Sequence, residues 1–417
     1  MSNNNQHIPS GYKPSPLGII PEDWEVKRLG EIGDFSKGNG VPKDKIIKDE
    51  HGHPCLTYGD LYTKYDFVIK DMKSFIDDDV ASESKEIHIG DICFAGSGET
   101  PEDIGKCAAY IEERTAYAGG DIIILSPNKD INGIWLSYVL NSDIGGKQRY
   151  KFAQGFSIVH IYPDNLKRIQ IPTPTLKEQQ RIVSVLSLWD TAITKQTALI
   201  EQLTLRKRGL IQQLLTGKKR LKGFEGEWKE VRMQDLASFA GGGTPSTKRS
   251  DFWEGTIPWI SSSDLVEDCL TNNESRYITE EAIANSTTQL LPSKSILIVT
   301  RVGVGKVAIA KHPICVSQDF TCLTKYDADT LFLAYSLLLT MKKKKSQSQG
   351  TSIKGISTDE ISKIKLLLPS IEEQKAIASV LVNADKEIEI QKQKLSDLQE
   401  QKKGLMQVLL TGKKRII

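Results

Sequence analysis

The chain has 417 residues and a mass of 46.4 kDa, which exceeds what one hydrophobic core usually supports, so two or three domains are expected. Its 39% hydrophobic and 26% charged residues exclude a disordered or collagen-like chain. No apolar run is long enough for a membrane span or a signal peptide, which predicts a cytoplasmic protein without membrane contact. The six cysteines form no C-x-x-C pair, and a net charge of +2 provides no general argument for a polyanionic partner.

A polar N-terminal segment, residues 1–23, precedes a first globular region at 24–175. Within this region, Phe94-Ala95-Gly96-Ser97-Gly98 imitates the F-x-G-x-G loop with which methyltransferases bind S-adenosylmethionine. An amino methyltransferase also needs a downstream Pro-Pro loop, which the sequence lacks, so a strand followed by a turn is the favoured interpretation. His51, His53 and Cys55 alternate as metal ligands on one strand face would, but a core strand is favoured and no metal is expected.

The next segment, 176–218, carries apolar residues at alternating steps of four and three, which predicts a long helix with a heptad seam. The seam residues are Ile182, Leu186, Trp189, Ile193, Gln196, Ile200 and Leu203. The segment follows Pro172 and Pro174 and ends at Thr216-Gly217, a plausible helix stop. About 40 helical residues would span roughly 60 Å.

After a second globular region at 219–369, residues 370–417 repeat this helix. Leu176–Arg220 aligns with Ile371–Arg415 without a gap, and 21 of the 45 positions are identical. The second seam comprises Ile377, Leu381, Ile388, Gln391, Leu395 and Leu398, while Lys207 and Lys402 are further polar residues at equivalent seam positions. Such apolar seams are expected to pair with each other, in either direction, and Gln196 and Gln391 are candidates for setting the register.

Positive charge is concentrated rather than spread: residues 1–175 carry a net charge of −7, whereas 176–222 carry +7. In each globular region a basic run stands shortly before a repeated Gln-Gly-x-Ser-Ile string. Lysine, arginine, glutamine and serine are residues that contact phosphates and base edges, so we predict a DNA-contacting loop in each region, with a solvated face as the alternative. The predicted contact residues are Lys147, Arg149, Lys151, Gln154, Ser157, Lys342, Lys343, Lys344, Lys345, Gln347 and Lys354.

These features together resemble the specificity (S) subunit of type I restriction-modification systems. The resemblance covers nearly the whole chain, and its most specific elements are the duplicated tails with their terminal Leu-Leu-Thr-Gly-Lys-Lys-Arg strings and the preceding Leu368-Pro369-Ser370-Ile371-Glu372-Glu373-Gln374. The first copy, from Thr173 to Gln179, fits the family pattern slightly less well.

The resemblance implies an α/β fold with two target recognition domains in tandem, joined by two long antiparallel coiled-coil helices with pseudo-twofold symmetry. It also implies a non-catalytic subunit that reads a bipartite asymmetric site on double-stranded DNA. The partners would be two modification (methyltransferase) subunits and two ATP-dependent restriction subunits, docked on the helical region. S-adenosylmethionine, ATP and Mg²⁺ would be used by these partners, and this chain would need no cofactor and hold no catalytic residue. A self-sufficient methyltransferase and a coiled-coil adaptor that binds no DNA are the alternatives.

Overall fold

The computed structural model describes residues 8–155, 158–266, 270–347 and 355–416. It divides into two compact units, which we call unit 1 (Met1–Gln196 with Lys394–Ile417) and unit 2 (Thr197–Gln393). Each unit therefore contains one globular region together with part of each long helix. Within the described residues, no helix has the length and hydropathy that crossing a membrane requires.

Unit 1 is built mainly from short strands. These are β1 (Tyr12–Ser15), β2 (Gly18–Pro21), β3 (Glu25–Arg28), β4 (Gly33–Lys37), β5 (His53–Leu56), β6 (Val68–Ile69), β7 (Phe75–Ile76), β8 (Lys85–Ile87), β9 (Ile92–Ala95), β10 (Ser97–Gly98), β11 (Cys107–Tyr110), β12 (Ala116–Ala118), β13 (Ile122–Pro127), β14 (Val159–His160) and β15 (Gln170–Thr173). The helices are α1 (Tyr58–Thr63), α2 (Asp78–Glu83), α3 (Gly133–Asn141), α4 (Asp143–Phe152), α5 (Pro163–Leu166) and the start of α6 (Leu176–Leu214).

Unit 2 repeats this plan with fewer elements. Its strands are β16 (Lys229–Arg232), β17 (Ala237–Gly241), β18 (Ile257–Ile260), β19 (Arg276–Ile278), β20 (Ile296–Val299), β21 (Val307–Ile309), β22 (Cys315–Val316), β23 (Phe320–Tyr326) and β24 (Lys365–Leu368). Its helices are α7 (Met233–Leu236), α8 (Glu280–Ala284), α9 (Thr330–Gln347), α10 (Thr358–Ser362) and the start of α11 (Ile371–Leu409).

The larger sheets of the two units share four strands in the same order, and unit 1 adds β6 at one edge. In unit 1 the order is β4-β13-β9-β11-β6, and in unit 2 it is β17-β23-β20-β21. A second sheet contains one parallel pair in each unit, β5 with β12 and β18 with β22. The strand before each long helix pairs with the first strand of its region, β15 with β3 and β24 with β16. The α/β tandem repeat predicted from the sequence is therefore confirmed.

Several strands of the larger sheets are buried along their whole length. Strands β9, β11 and β20 are buried at every position, as expected for strands covered on both faces. His53 and Cys55 lie on β5, where Cys55 is buried in a small apolar cluster, in agreement with the core-strand interpretation. The described residues contain no cluster of potential metal ligands.

Both long helices begin and end as their sequences predict. Thr175 and Ser370 accept hydrogen bonds from the main-chain nitrogens of Glu178 and Glu373, which caps the helices at Leu176 and Ile371. Beyond the last helical turn, Gly217 adopts a positive φ of 69°, a conformation that favours glycine. The helices end at Leu214 and Leu409, two residues before the Thr-Gly pairs at 216–217 and 411–412 that were predicted to stop them, and the bounds of the longer segments 176–218 and 370–417 stay predictions.

In each unit the beginning of one helix packs against the end of the other. Ile182 and Leu186 of α6 share a core with Met406 and Leu409 of α11 in unit 1. Leu214 of α6 shares a core with Ile377 and Leu381 of α11 in unit 2. Contacts of this kind require antiparallel pairing, so the direction implied by the resemblance is confirmed.

The remaining seam residues are also removed from solvent. Gln196, Leu203 and Ile388 are buried, and Trp189, Ile193, Ile200, Gln391, Leu395 and Leu398 are half-buried. The idea that Gln196 and Gln391 set the register stays a prediction.

Candidate nucleic-acid interface

The basic runs lie on helices rather than in the predicted loops. Lys147 and Lys151 are part of α4, and the lysines from Lys342 to Lys345 occupy the last turns of α9. The loop prediction was wrong because Ser142 accepts a hydrogen bond from the main-chain nitrogen of Ile144 and so starts a new helix directly after α3. Lysine itself is a good helix former, which suits the end of α9.

The predicted contact residues differ in exposure. Lys147, Lys151, Gln154 and Lys343 are exposed, and Lys342, Lys344 and Lys345 are half-buried. Ser157, Lys354 and the side chain of Gln347 lie outside the described residues. A role of these residues at DNA stays a prediction.

Arg149 requires a correction. Its side chain is only 5% exposed, and its guanidinium donates hydrogen bonds to the carbonyl oxygens of Ile104 and Leu140. Burial lowers the pKa of this arginine, with nearby groups opposing the effect. We therefore assign Arg149 to the core of unit 1, where it ties α4 to α3, and no longer to a DNA contact.

In unit 2 the basic end of α9 borders a groove of about 450 Å³. Arg208 of α6 contributes to its lining together with Lys342 and Lys343, and Leu338 and Ile211 form part of its apolar floor. Three cations at one groove create a positive surface that attracts phosphates.

Replacing Lys343 with alanine is expected to weaken DNA binding of the assembled complex several-fold. One lost phosphate contact reduces the slope of log affinity against log salt by about one. The measurement is fluorescence anisotropy with duplex DNA at several salt concentrations. Lys325, which is exposed on β23, provides the matched control through Lys325→Ala. An unchanged slope for Lys343→Ala would place this lysine on a solvated face.

A triad of a buried tyrosine, a buried lysine and a partly exposed aspartate is present in each unit. In unit 1, the Tyr138 hydroxyl of α3 donates to Asp190 of α6, and Lys402 of α11 forms an ion pair with the same carboxylate. Lys402 Nζ also lies 3.8 Å from the centre of the Phe67 ring, a favourable cation–ring contact. Burial lowers the pKa of Lys402, and Asp190 opposes this shift. We call this set the Tyr138 triad.

The Tyr335 triad of unit 2 has the same composition. Tyr335 of α9 donates to Asp385 of α11, and Lys207 of α6 pairs with that carboxylate. Both lysines are almost fully buried, with 7% exposure for Lys207. Each triad therefore connects a globular region to both helices, and it explains why lysine recurs in the apolar seam.

A second repeated contact, the arginine–glutamate clamp, joins the end of one helix to the start of the other. In unit 1, Arg415 binds Glu178 through two hydrogen bonds of 2.6 and 2.8 Å, and in unit 2 Arg220 binds Glu373 at 2.6 and 2.7 Å. Both carboxylates are buried, at 5% and 2% exposure.

Unit 1 adds two further partners to its clamp. Asp23 accepts a hydrogen bond of 2.8 Å from Arg415, which lowers the pKa of the Asp23 carboxyl, and Trp24 Nε1 donates to Glu178 at 3.0 Å. The sequence had shown these arginines only as members of basic clusters. The signal that could have revealed the clamps is the joint repetition of Glu-Gln at each helix start and arginine at each helix end.

The glycine-containing string in unit 1 spans the end of one strand and the whole of the next. Phe94 and Ala95 are buried in β9, while Ser97 and Gly98 form β10, which pairs with β14. The predicted strand is present at Phe94 and Ala95, whereas Ser97 and Gly98 form a second short strand in place of the predicted turn.

Comparisons with known proteins agree with this architecture. The sequence model of the type I restriction modification DNA specificity domain matches residues 21–205 and again 225–400. The putative type I restriction enzyme MjaX specificity subunit of Methanocaldococcus jannaschii is 30% identical over 97% of both chains. The EcoR124I/EcoR124II specificity subunit of Escherichia coli is 32% identical over 52% of this chain and 56% of its own length.

Solved structures show the same fold. The S subunit of a type I restriction-modification system from M. genitalium superposes with a TM-score of 0.57 at 15% identity, covering 98% of each chain. A chain from another type I restriction-modification system superposes with a TM-score of 0.63 at 18% identity, covering 94% of this chain and 99% of that one. With two matched domains and a relative that is similar along almost its whole length, the chain belongs to the DNA specificity subunits of type I restriction-modification systems.

Proposed function

We propose that this chain is the non-catalytic subunit that gives its complex sequence-specific DNA recognition. Each recognition domain reads one half of a bipartite asymmetric DNA site, and the paired helices determine the spacer between the halves. The observation that carries this proposal is the contrast between the two units, which share sheet order, clamps and triads but differ in the side chains on their surfaces. Two identical readers would select a palindrome, whereas unlike readers on one framework select unlike half-sites.

The proposed partners are two modification subunits and two restriction subunits. Methylation with S-adenosylmethionine and DNA translocation or cleavage with ATP and Mg²⁺ would be carried out by these partners. Since Phe94 to Gly98 are occupied by strand pairing, unit 1 offers no such loop for S-adenosylmethionine, which argues against the self-sufficient methyltransferase.

The proposal is tested by expressing the chain with and without its modification subunits. We expect methylation only when both are present, at one sequence with two unlike halves, as mapped by sequencing that detects methylated bases. Calorimetry on the isolated chain is expected to show no binding of S-adenosylmethionine. Micromolar affinity for that cofactor would refute the non-catalytic role. Duplex affinity of the complex that does not fall with rising salt would instead support an adaptor without DNA contact.

A further inference from the structure

The central sheets of both units end at the same main-chain connection. In unit 1 the nitrogen of Ile161 donates to Gly96 at 3.0 Å, and in unit 2 the nitrogen of Ile356 donates to Thr300 at 2.7 Å. The strand just before each connection, β9 or β20, forms a main-chain hydrogen bond with a lysine, Lys106 or Lys306. The residue that follows Gly96 is Ser97, and the residue that follows Thr300 is Arg301. We call these two equivalent places the strand-end positions.

The side chains at the strand-end positions differ in chemistry. In unit 1, Ser97 lies 3.0 Å from Nδ1 of His160, and the His160 ring stacks on Tyr162, which is 50% exposed. In unit 2 the residue equivalent to His160 is Gly355. The same backbone therefore presents a serine–histidine pair in one unit and an arginine in the other.

The glycine makes room for the arginine. A β-carbon at Gly355 would lie 2.9 Å from the Thr300 oxygen and 3.1 Å from Cγ of Arg301, so a larger residue would crowd this main chain and require the arginine side chain to shift. Arg301 is exposed, and no acceptor in the described part of the chain pairs with its guanidinium. The next residue, Val302, is 71% exposed. An unpaired guanidinium beside an exposed apolar side chain suits a base edge, because arginine binds O6 and N7 of guanine and apolar groups contact the thymine methyl.

We propose that Arg301 is a specificity-determining residue of the second recognition domain and binds a guanine edge in its half-site. This inference rests on the proposed function, since it requires that unit 2 reads DNA. An asymmetric target needs equivalent positions with unlike chemistry, and the strand-end positions have that property on a shared framework.

The test uses this chain in complex with its modification subunits. The chain carries Arg301→Ala, Arg301→Lys or, as the control, Lys325→Ala. Lys325 is exposed on β23 of the same sheet. It lies six residues, or about 20 Å, from Asp319, whose main-chain oxygen accepts a hydrogen bond from the Thr300 nitrogen. The measurement is binding and methylation across a library of half-site sequences at several salt concentrations.

For Arg301→Ala we expect discrimination at one base pair of one half-site to fall by about 5- to 150-fold, while the preference for the other half-site is unchanged. Arg301→Lys retains the charge but loses the bidentate fork, so it is expected to bind with reduced guanine preference. Lys325→Ala is expected to behave as the parent complex.

Two results would overturn the inference. Uniform weakening at all sequences, with a salt slope lower by about one, would make Arg301 a phosphate contact. Unchanged binding and preference would make it a solvated side chain. A parent complex that selects no sequence contradicts the proposed function itself, and this outcome is distinct from a selective parent whose preferences survive Arg301→Ala.

Discussion

Replacing Arg415 with alanine is expected to lower the free energy of unfolding by about 3 kcal/mol, because the buried Glu178 carboxylate loses both hydrogen bonds to its guanidinium partner. The Asp23 carboxylate loses the same partner, and only the Trp24 indole remains bound to Glu178. Urea denaturation followed by tryptophan fluorescence measures the effect. Trp24 is a suitable probe because it is buried and lies under the Arg415 guanidinium.

The adjacent lysine supplies the control. Lys414 is exposed, so Lys414→Ala removes a positive charge from the same string without breaking the clamp and is expected to change stability by less than about 0.5 kcal/mol. Arg415→Lys cannot reproduce the bidentate geometry and is expected to fall between the two. Equal effects of Arg415→Ala and Lys414→Ala would show that the clamp contributes nothing beyond general charge.

The second large effect is expected at the Tyr138 triad. Asp190→Ala leaves the ammonium of Lys402, whose side chain is 6% exposed, without its carboxylate. Breaking a buried ion pair from one side costs about 3 kcal/mol, since the remaining charge is neither hydrated nor paired. Thr191→Ala, at an exposed neighbouring position of the same helix, controls for the change in helix propensity.

A double-mutant cycle separates the pair from its surroundings. Lys402→Met alone is expected to cost less than Asp190→Ala, because Asp190 is 35% exposed and water can hydrate it. In the double variant the uncompensated charge is absent, so part of the stability lost in Asp190→Ala is expected to return, with a coupling energy of about 1–3 kcal/mol. Strictly additive effects in urea denaturation would mean that the triad acts as independent side chains.

Local patterns carried the sequence predictions that the structure confirms. The heptad seam, the Thr-Gly helix stop and the tandem α/β repeat all depend on residues that are neighbours in sequence or on direct comparison of the two copies. The prediction of basic loops was wrong for the same reason, because it used only the composition around Lys147 and Lys343. That composition does not show that the Ser142 cap starts a new helix before Lys147 or that α9 continues through Lys343. Arg149 looked like its neighbours Lys147 and Lys151, and only packing against Ile104 and Leu140 distinguishes it.

The sequence by itself determined that one recognition unit and one helix are used twice, since a gapless repeat with 21 of 45 identical positions is visible without coordinates. It also determined which helix faces are buried, because the apolar period is a local property of the chain. The tertiary structure alone decided that the helices pair antiparallel and that Lys402 meets Asp190 and Arg415 meets Glu178. These partners are more than 200 residues apart in the chain, so the pairing of each charge becomes visible only when the packed fold brings the two side chains together.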